Sequence, residues 1–488
     1  MRLNHLPSKI SKELGITTLL SSGRDTYLLL LTRSIRMFAY GSSTLILALY
    51  FSALGHSDTK IGLFMTLTLI GDVLISLALT FVADALGRRR ILVLGALLMS
   101  LSGAIFASVE NYWILLFAAV VGVISPSGNE IGPFRAVEES TLAQLSEPKT
   151  RSDIFAWYVV VGTLGTAGGS LGCGWMVQRL QSDGWTAVSA YRAIFWIYTI
   201  IGFLKAGLTL LLSPACEAQP APKPIEEETQ GEEAEAFLSN TGTPAPAKVP
   251  PTKKGKNAFS QISPASRLIL LKLCGLFFFD SLASGMVPFS LIAFYMDRKF
   301  GMASGTLGTV MSSAQFVSSI GNIFASSIAK RIGLVKTMVF THLPSAIFLS
   351  LLPAPRVLWL TIVFLVARAS LASMDQAPRS AFLSAIVKAE ERTAVMGIVN
   401  TVKTLSQSSG PLITGVLAGK GRFWIAFVVA GGLKAGYDLG MLTMFVNLRI
   451  EGEEHRKPAQ TASSGDDPVR LRRESIDSID DEEGIEMK

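Results

Sequence analysis

Residues 203–210 read FLKAGLTL and residues 432–439 read GLKAGYDL, so Leu204-Lys205-Ala206-Gly207 returns letter for letter as Leu433-Lys434-Ala435-Gly436. One tetrapeptide can recur by chance, but other landmarks return in the same order. Gly62 and Gly87 match Gly308 and Gly333 at an offset of 246. Glu130 and Pro133 match Asp375 and Pro378 at 245, and Arg151, Gly169 and Gly174 match Arg392, Gly410 and Gly415 at 241. Co-linear matches over such a length mark an internal duplication.

What is duplicated is apolar. Of the 488 residues, 49% are hydrophobic and only 17% charged, against about 25% charged in soluble domains. Mean hydropathy is +0.43, more than a water-surrounded core can hide, which excludes a soluble enzyme. Twelve runs are long enough to span a bilayer, six in each copy. The fourth is expected at 112–138, the seventh at 266–296 and the tenth at 356–386. The chain therefore divides into an N-terminal segment (1–26), a six-helix bundle (27–213), a Pro-, Ala-, Glu- and Lys-rich linker (214–264), a second six-helix bundle (265–448) and a polar tail (449–488). Linker and tail have the composition of disordered segments. The first 26 residues lack the compact apolar run and cleavage site of a signal peptide. An even number of spans puts both termini on one side. Fourteen Lys and Arg residues in the N-terminal segment and short loops of that side, against eight opposite, predict that it is the cytoplasm. The net charge of +7 is accounted for by such loops and needs no nucleic acid. Three cysteines imply no disulfide framework, and four scattered histidines imply no metal site; no cofactor is expected.

The second span ends in ADALGRRRIL (83–92), an acidic residue, then Gly three residues on, then a basic run. With twelve spans, a long central linker and a half-repeat, the region 27–448 resembles the major facilitator superfamily. The resemblance implies an all-α membrane protein of two six-helix pseudo-repeats. It also implies that the loop after span two latches the halves, with Asp84, Gly87 and Arg88 near Arg392 at the start of span eleven as gating residues. An anionic Asp84 there would gain from the helix dipole and the guanidinium; plain topology, positive residues holding the loop inside, is the alternative. The family lines its central cavity with spans one, four, seven and ten, which selects Tyr40, Asn129, Glu130, Asp280, Arg368 and Asp375.

Ionisable residues inside spans are costly and default to function. Asp72 on span two joins the candidates for substrate binding or coupling, as do Lys434 and Asp438 on span twelve. The i, i+4 spacing of that last pair also permits self-neutralisation. Glu130 with Arg135 and Asp375 with Arg379 could equally be static pairs, and Arg33 and Arg36 are expected to snorkel. Lys205 has no acidic neighbour in its own helix and must find one elsewhere. Arg368 also lacks one, and its repeat equivalent is Val123. The glycines crowding span five are expected to serve close packing.

These features predict a secondary active transporter, a multi-pass monomer of the plasma membrane or an organelle such as the vacuole, not an enzyme. Its partners would be a small-molecule substrate, the bilayer and a coupling proton carried by Asp280 or Glu130. No G-x-x-x-x-G-K-[ST] motif offers nucleotide energy. A non-transporting sensor of the same fold is the rival reading. An excess of cations at cavity level favours an anionic or zwitterionic solute, although Phe38, Phe277, Phe278, Phe279 and Phe289 could equally build an apolar site. In the tail, Ser475 follows Arg472-Arg473 and Ser478 precedes Asp480-Asp481, so both are phosphorylation candidates.

Overall fold

The computed structural model describes residues 15–122, 124, 133–147, 150–217, 264–375, 378–379, 382–383, 386 and 392–445, and among these all side chains but those of 76–85, 133–134, 136, 152, 264–266, 322–327, 329–330, 392–394 and 396. A short α1 (Ile16–Leu20) precedes span one, α2 (Arg24–Ala53). Spans two and three are α3 (Asp58–Leu86) and α4 (Arg88–Ser108). Span four is two helices, α5 (Tyr112–Gly122) and α6 (Pro133–Leu145). Spans five and six are α7 (Arg151–Ser182) and α8 (Ala187–Leu210).

In the second half, span seven is α9 (Pro264–Met286) followed by α10 (Phe289–Phe300). Next come α11 (Ser304–Ile332), α12 (Leu334–Leu351), α13 (Leu358–Ser373), α14 (Arg392–Gly419) and α15 (Phe423–Phe445). By length and apolar content six described helices qualify outright as spans: α4, α7, α8, α9, α12 and α15. The helices α2, α3, α11 and α14 are of similar or greater length.

Three expected spans differ in detail. Among the described residues span four is helical as α5 to Gly122 and as α6 from Pro133, which extends to Leu145, past the expected end at 138. Span seven breaks at Pro288, which caps α10 and cannot continue the hydrogen-bond ladder. Span ten is helical over Leu358–Ser373, turns at Met374 and Asp375, and is helical again at 378–379, 382–383 and 386 of the residues described. The N-terminal segment to residue 14, residues 218–263 of the linker and the tail from 446 lie outside the described residues, as do Ser475 and Ser478.

The duplication is visible in the packing. Span one lies on span five as span seven lies on span eleven, and spans three and six pair as spans nine and twelve do. Between the halves, span five packs on span eight and span two on span eleven. Glycines set these distances. A Cβ on Gly169 would sit 1.9 Å from the Phe38 carbonyl oxygen, and one on Gly285 would sit 1.9 Å from that of Gln407. Gln407 is the carbonyl whose helical partner Pro411 lacks.

The repeat-related glycines meet one another across the halves. Gly62 lies against Gly415, and Gly308 against Gly174, each would-be Cβ within 2.9 Å of the opposite Cα. Beside them Thr66 Oγ1 accepts the Leu412 amide at 3.1 Å, the Gly305 amide donates to Gln178 at 2.9 Å, and Arg298 pairs with Asp58 at 2.5 Å. All of these contacts lie on the face away from the termini, where the halves are closed against each other.

Gly87 and Gly333, equivalent in the repeat, begin α4 and α12 with φ of 92° and 89°, a conformation costly for any residue with a Cβ. Replacing Gly169 by Val should therefore cost about 1–3 kcal/mol or prevent folding, as overpacking does. Gly207→Ala, where nothing lies within 4 Å, should leave stability intact or raised. Thermal unfolding of detergent-purified variants, followed by size-exclusion fluorescence, checks the pair.

Candidate functional site

Lys205 and Lys434, the lysines of the repeated tetrapeptide, are both buried, and each reaches a carboxylate on another helix. The low dielectric dictates this: an ammonium taken out of water must bring its counter-charge. Lys205 Nζ lies 3.6 Å from Glu138 Oε1 on α6. Glu138, 1% exposed, also accepts from Arg36 of α2 at 2.6 Å and from the Tyr158 hydroxyl of α7 at 2.8 Å. The Arg33 guanidinium stacks 4.4 Å from the Tyr158 ring. Four helices of the N-terminal half thus converge on one carboxylate.

The C-terminal half centres on Asp280 of α9. Lys434 donates to its Oδ1 and Arg379 to its Oδ2, both at 2.7 Å. Lys434 also donates to Ser284 Oγ at 2.7 Å, and Arg379 pairs with Asp375. His342 of α12 contacts Asp438 of α15 through Nδ1 at 2.9 Å, and its Nε2 lies 3.8 Å from Asp280. Aromatic rings cover the cations: Arg379 lies 5.5 Å from the Phe277 ring and 5.1 Å from that of Tyr437, and Lys403 lies 5.3 Å from Phe277.

The two clusters are related with their charges reversed. Arg36 and Asp280 share the offset of 244 that relates the close-packed Gly41 and Gly285. In the first half, span one supplies the cation and span four the carboxylate. In the second, span seven supplies the carboxylate and the segment after α13 supplies the cation, Arg379. The repeated lysine joins whichever partner is acidic.

Several expectations change. Lys434 and Asp438 do not neutralise each other, because one turns to α9 and the other to His342 on α12. Arg36 does not snorkel; it is buried on Glu138. Arg135 pairs with Glu139 at 2.6 Å, an i, i+4 pair in α6. Asp375 does pair with Arg379, and Lys205 does find its carboxylate on another helix.

Tyr40 is buried on α2, one turn beyond Arg36. Phe277 lines the cluster, whereas Phe278 and Phe279 are 42% and 46% exposed on the outer face. Asp72 is buried, and neither of its carboxylate oxygens has a hydrogen-bond partner. Asn129 and Glu130 lie outside the described residues, as do the side chains of Asp84 and Arg392. Of the expected latch, Gly87 makes its turn and Arg88 donates to Gln144 at 2.9 Å. Among the described residues no three His, Cys, Asp or Glu side chains form a metal-binding group.

Glu138, Tyr158, His342 and Ser284 escape a reading of the sequence. The one signal for Glu138 is the orphan Lys205, whose missing acid had to lie on a neighbouring helix.

The Major Facilitator Superfamily model matches residues 29–289 and 273–473. An uncharacterized membrane protein of Saccharomyces cerevisiae, YJR124C, is 36% identical over 440 residues, covering 89% of this chain and 97% of its own. The inward-open xylose transporter XylE from E. coli has a TM-score of 0.62 at 13% identity, covering 88% of this chain and 99% of that one. A bacterial homolog of the human lysosomal transporter Spinster, inward-facing, has a TM-score of 0.59 at 15% identity, covering 86% and 94%.

The buried pairs make a stability prediction. Glu138→Gln leaves Arg36 and Lys205 facing a neutral amide and should destabilise the protein by about 3 kcal/mol or more, the general cost of breaking a buried pair. Adding Lys205→Met should recover part of that loss, measurable as a rise in thermal midpoint over the single variant. The fold, the half-repeat with its paired charge clusters and these relatives agree: the chain belongs to the major facilitator superfamily and has the architecture of a membrane transporter.

Proposed function

We propose that this protein is a secondary active transporter that moves a small anionic or zwitterionic solute by alternating access, driven by a proton gradient. One observation carries the substrate class. In the C-terminal half the three buried carboxylates among the described residues, Asp280, Asp375 and Asp438, each hold a basic side chain. Two further cations there, Arg368 on α13 and Lys403 on α14, form no ion pair or side-chain hydrogen bond among the described residues. Arg368 is half-buried, and its backbone carbonyl accepts Ser345 Oγ at 3.1 Å. A guanidinium at such depth calls for a counter-charge, and a carboxylate, phosphate or sulfate on the solute supplies one.

The contacts on the face away from the termini support a cycle of alternating access. The glycine crossings are small enough to act as a pivot, and opening that face requires their separation together with the Arg298–Asp58 pair. The latch of Asp84, Gly87, Arg88 and Arg392 closes the terminus side in the opposite state. Both termini, the linker 214–264 and the tail 449–488 are placed in the cytoplasm, and the chain acts as a monomer in the plasma membrane or an organelle membrane. In coupling, Asp280 or Glu130 exchanges a basic partner for a proton as the cavity turns.

Arg368→Lys should fold and reach the membrane yet lose most solute binding, because a point charge cannot replace the planar fork. A ligand screen by thermal stabilisation supplies the solute; normal affinity in the variant returns Arg368 to a structural role. Asp280→Asn and Glu130→Gln should each be assayed in proteoliposomes. The carrier variant loses pH-driven accumulation and keeps solute exchange. Absence of any flux in the wild-type protein with a solute that binds would favour the sensor reading.

A further inference from the structure

Asp72 stands at the middle of α3, is 2% exposed, and neither of its carboxylate oxygens has a hydrogen-bond partner. No other buried carboxylate described here is in that condition: Glu138, Asp280, Asp375 and Asp438 each hold a basic side chain. Asp72 continues the buried face of Ile61, Met65 and Thr68. Its neighbour Gly71 presses against Val120, two residues before α5 ends at Gly122. Near that end the Ala119 carbonyl accepts the Ile124 amide at 3.0 Å, and a helix C-terminus carries the negative end of its dipole.

The helices packed on α3 are α2, α4, α5, α6 and α14. Their charged or titratable groups are Arg24, Asp25, Tyr27, Arg33, Arg36, Tyr40 and Tyr50 on α2; Arg88, Arg89 and Arg90 at the start of α4; Tyr112 on α5; Arg135, Glu138 and Glu139 on α6; and Arg392 and Lys403 on α14. Neither Asp72 oxygen accepts a hydrogen bond from any described group among them. A bare carboxylate in such surroundings is far costlier than the neutral acid, so the group takes a proton instead of a counter-ion.

We infer that Asp72 is a proton-binding site in the N-terminal half, and that the proton it takes from water on one side and returns to water on the other biases the halves between their two conformations. The inference rests on the proton-coupled reading above and moves the coupling from Asp280 or Glu130 to span two. With no fixed cation to hold the anion, Asp72 keeps its proton while the bundle around it is dry and releases it when water enters beside α5. Its repeat equivalent is Ser318, so the half-repeat supplies one such site per chain.

The test uses full-length protein in lipid nanodiscs. Infrared spectroscopy reads the carbonyl band of a protonated carboxyl group. Spin labels at R90C and K336C, on the terminus side, read the ratio of the two conformers. Expected are a band at neutral pH that Asp72→Asn removes and Asp72→Glu shifts, and a conformer ratio that changes with pH in the labelled parent but not with Asp72→Asn. Asp72→Ser, the residue of the other half, replaces Asn if that variant fails to fold. A band that persists in Asp72→Asn overturns the inference. A ratio that still responds to pH in Asp72→Asn overturns it while leaving coupling with Asp280 or Glu130. A parent whose ratio ignores pH overturns both.

Discussion

An ammonium group removed from water must bring its counter-charge, and much of this architecture follows from meeting that demand twice. Lys205 and Lys434 sit at the same place in two copies of one bundle. Each ties a peripheral helix to a carboxylate on a helix nearer the centre, at 3.6 Å in the first copy and 2.7 Å in the second. The copies have since exchanged the signs of the remaining members. Arg36 faces Glu138 in one, and Asp280 faces Arg379 in the other. A duplicated bundle can diverge in this way because what is kept is local neutrality, not the identity of each position.

Within each half the ion clusters fix helices to one another, and between halves the contact is of another kind. Gly62 on Gly415 and Gly174 on Gly308 bring backbones together without interlocking side chains. In a bilayer such close approach replaces the hydrophobic force that holds soluble helices, and small residues leave little to disengage when the crossing opens. Ion clusters thus tie the helices within each half, and close backbone crossings with a few polar contacts join the halves, an arrangement that suits the proposed rocking.

Much of this was legible in the sequence. The twelve spans, the two halves and the repeat-related glycines all follow from apolar run length and co-linear landmarks, and the glycines proved to meet each other. Pairing was less legible. The i, i+4 spacing of Lys434 and Asp438 describes two side chains on neighbouring turns but not which helices approach them; α9 and α12 arrive on different sides and take one each. Glu138 was hidden because an acid in the charged run RAVEES, beside Arg135 and Glu139, reads as surface until span four extends to Leu145. The break at Pro288 follows from the proline's missing N–H, a local signal that a reading by apolar run length passes over.

In the proposed transport cycle the two halves rock about the glycine crossings. This rocking is tested most directly by two distances measured in one protein. Glu110 and Arg356 are repeat-equivalent exposed positions on the face away from the termini, and Arg90 and Lys336 are their counterparts on the terminus side. Spin-label distances for the two pairs, recorded across solute and pH conditions, should move reciprocally, one shortening as the other lengthens. Distances that stay fixed under all conditions, or that lengthen together, would contradict the account.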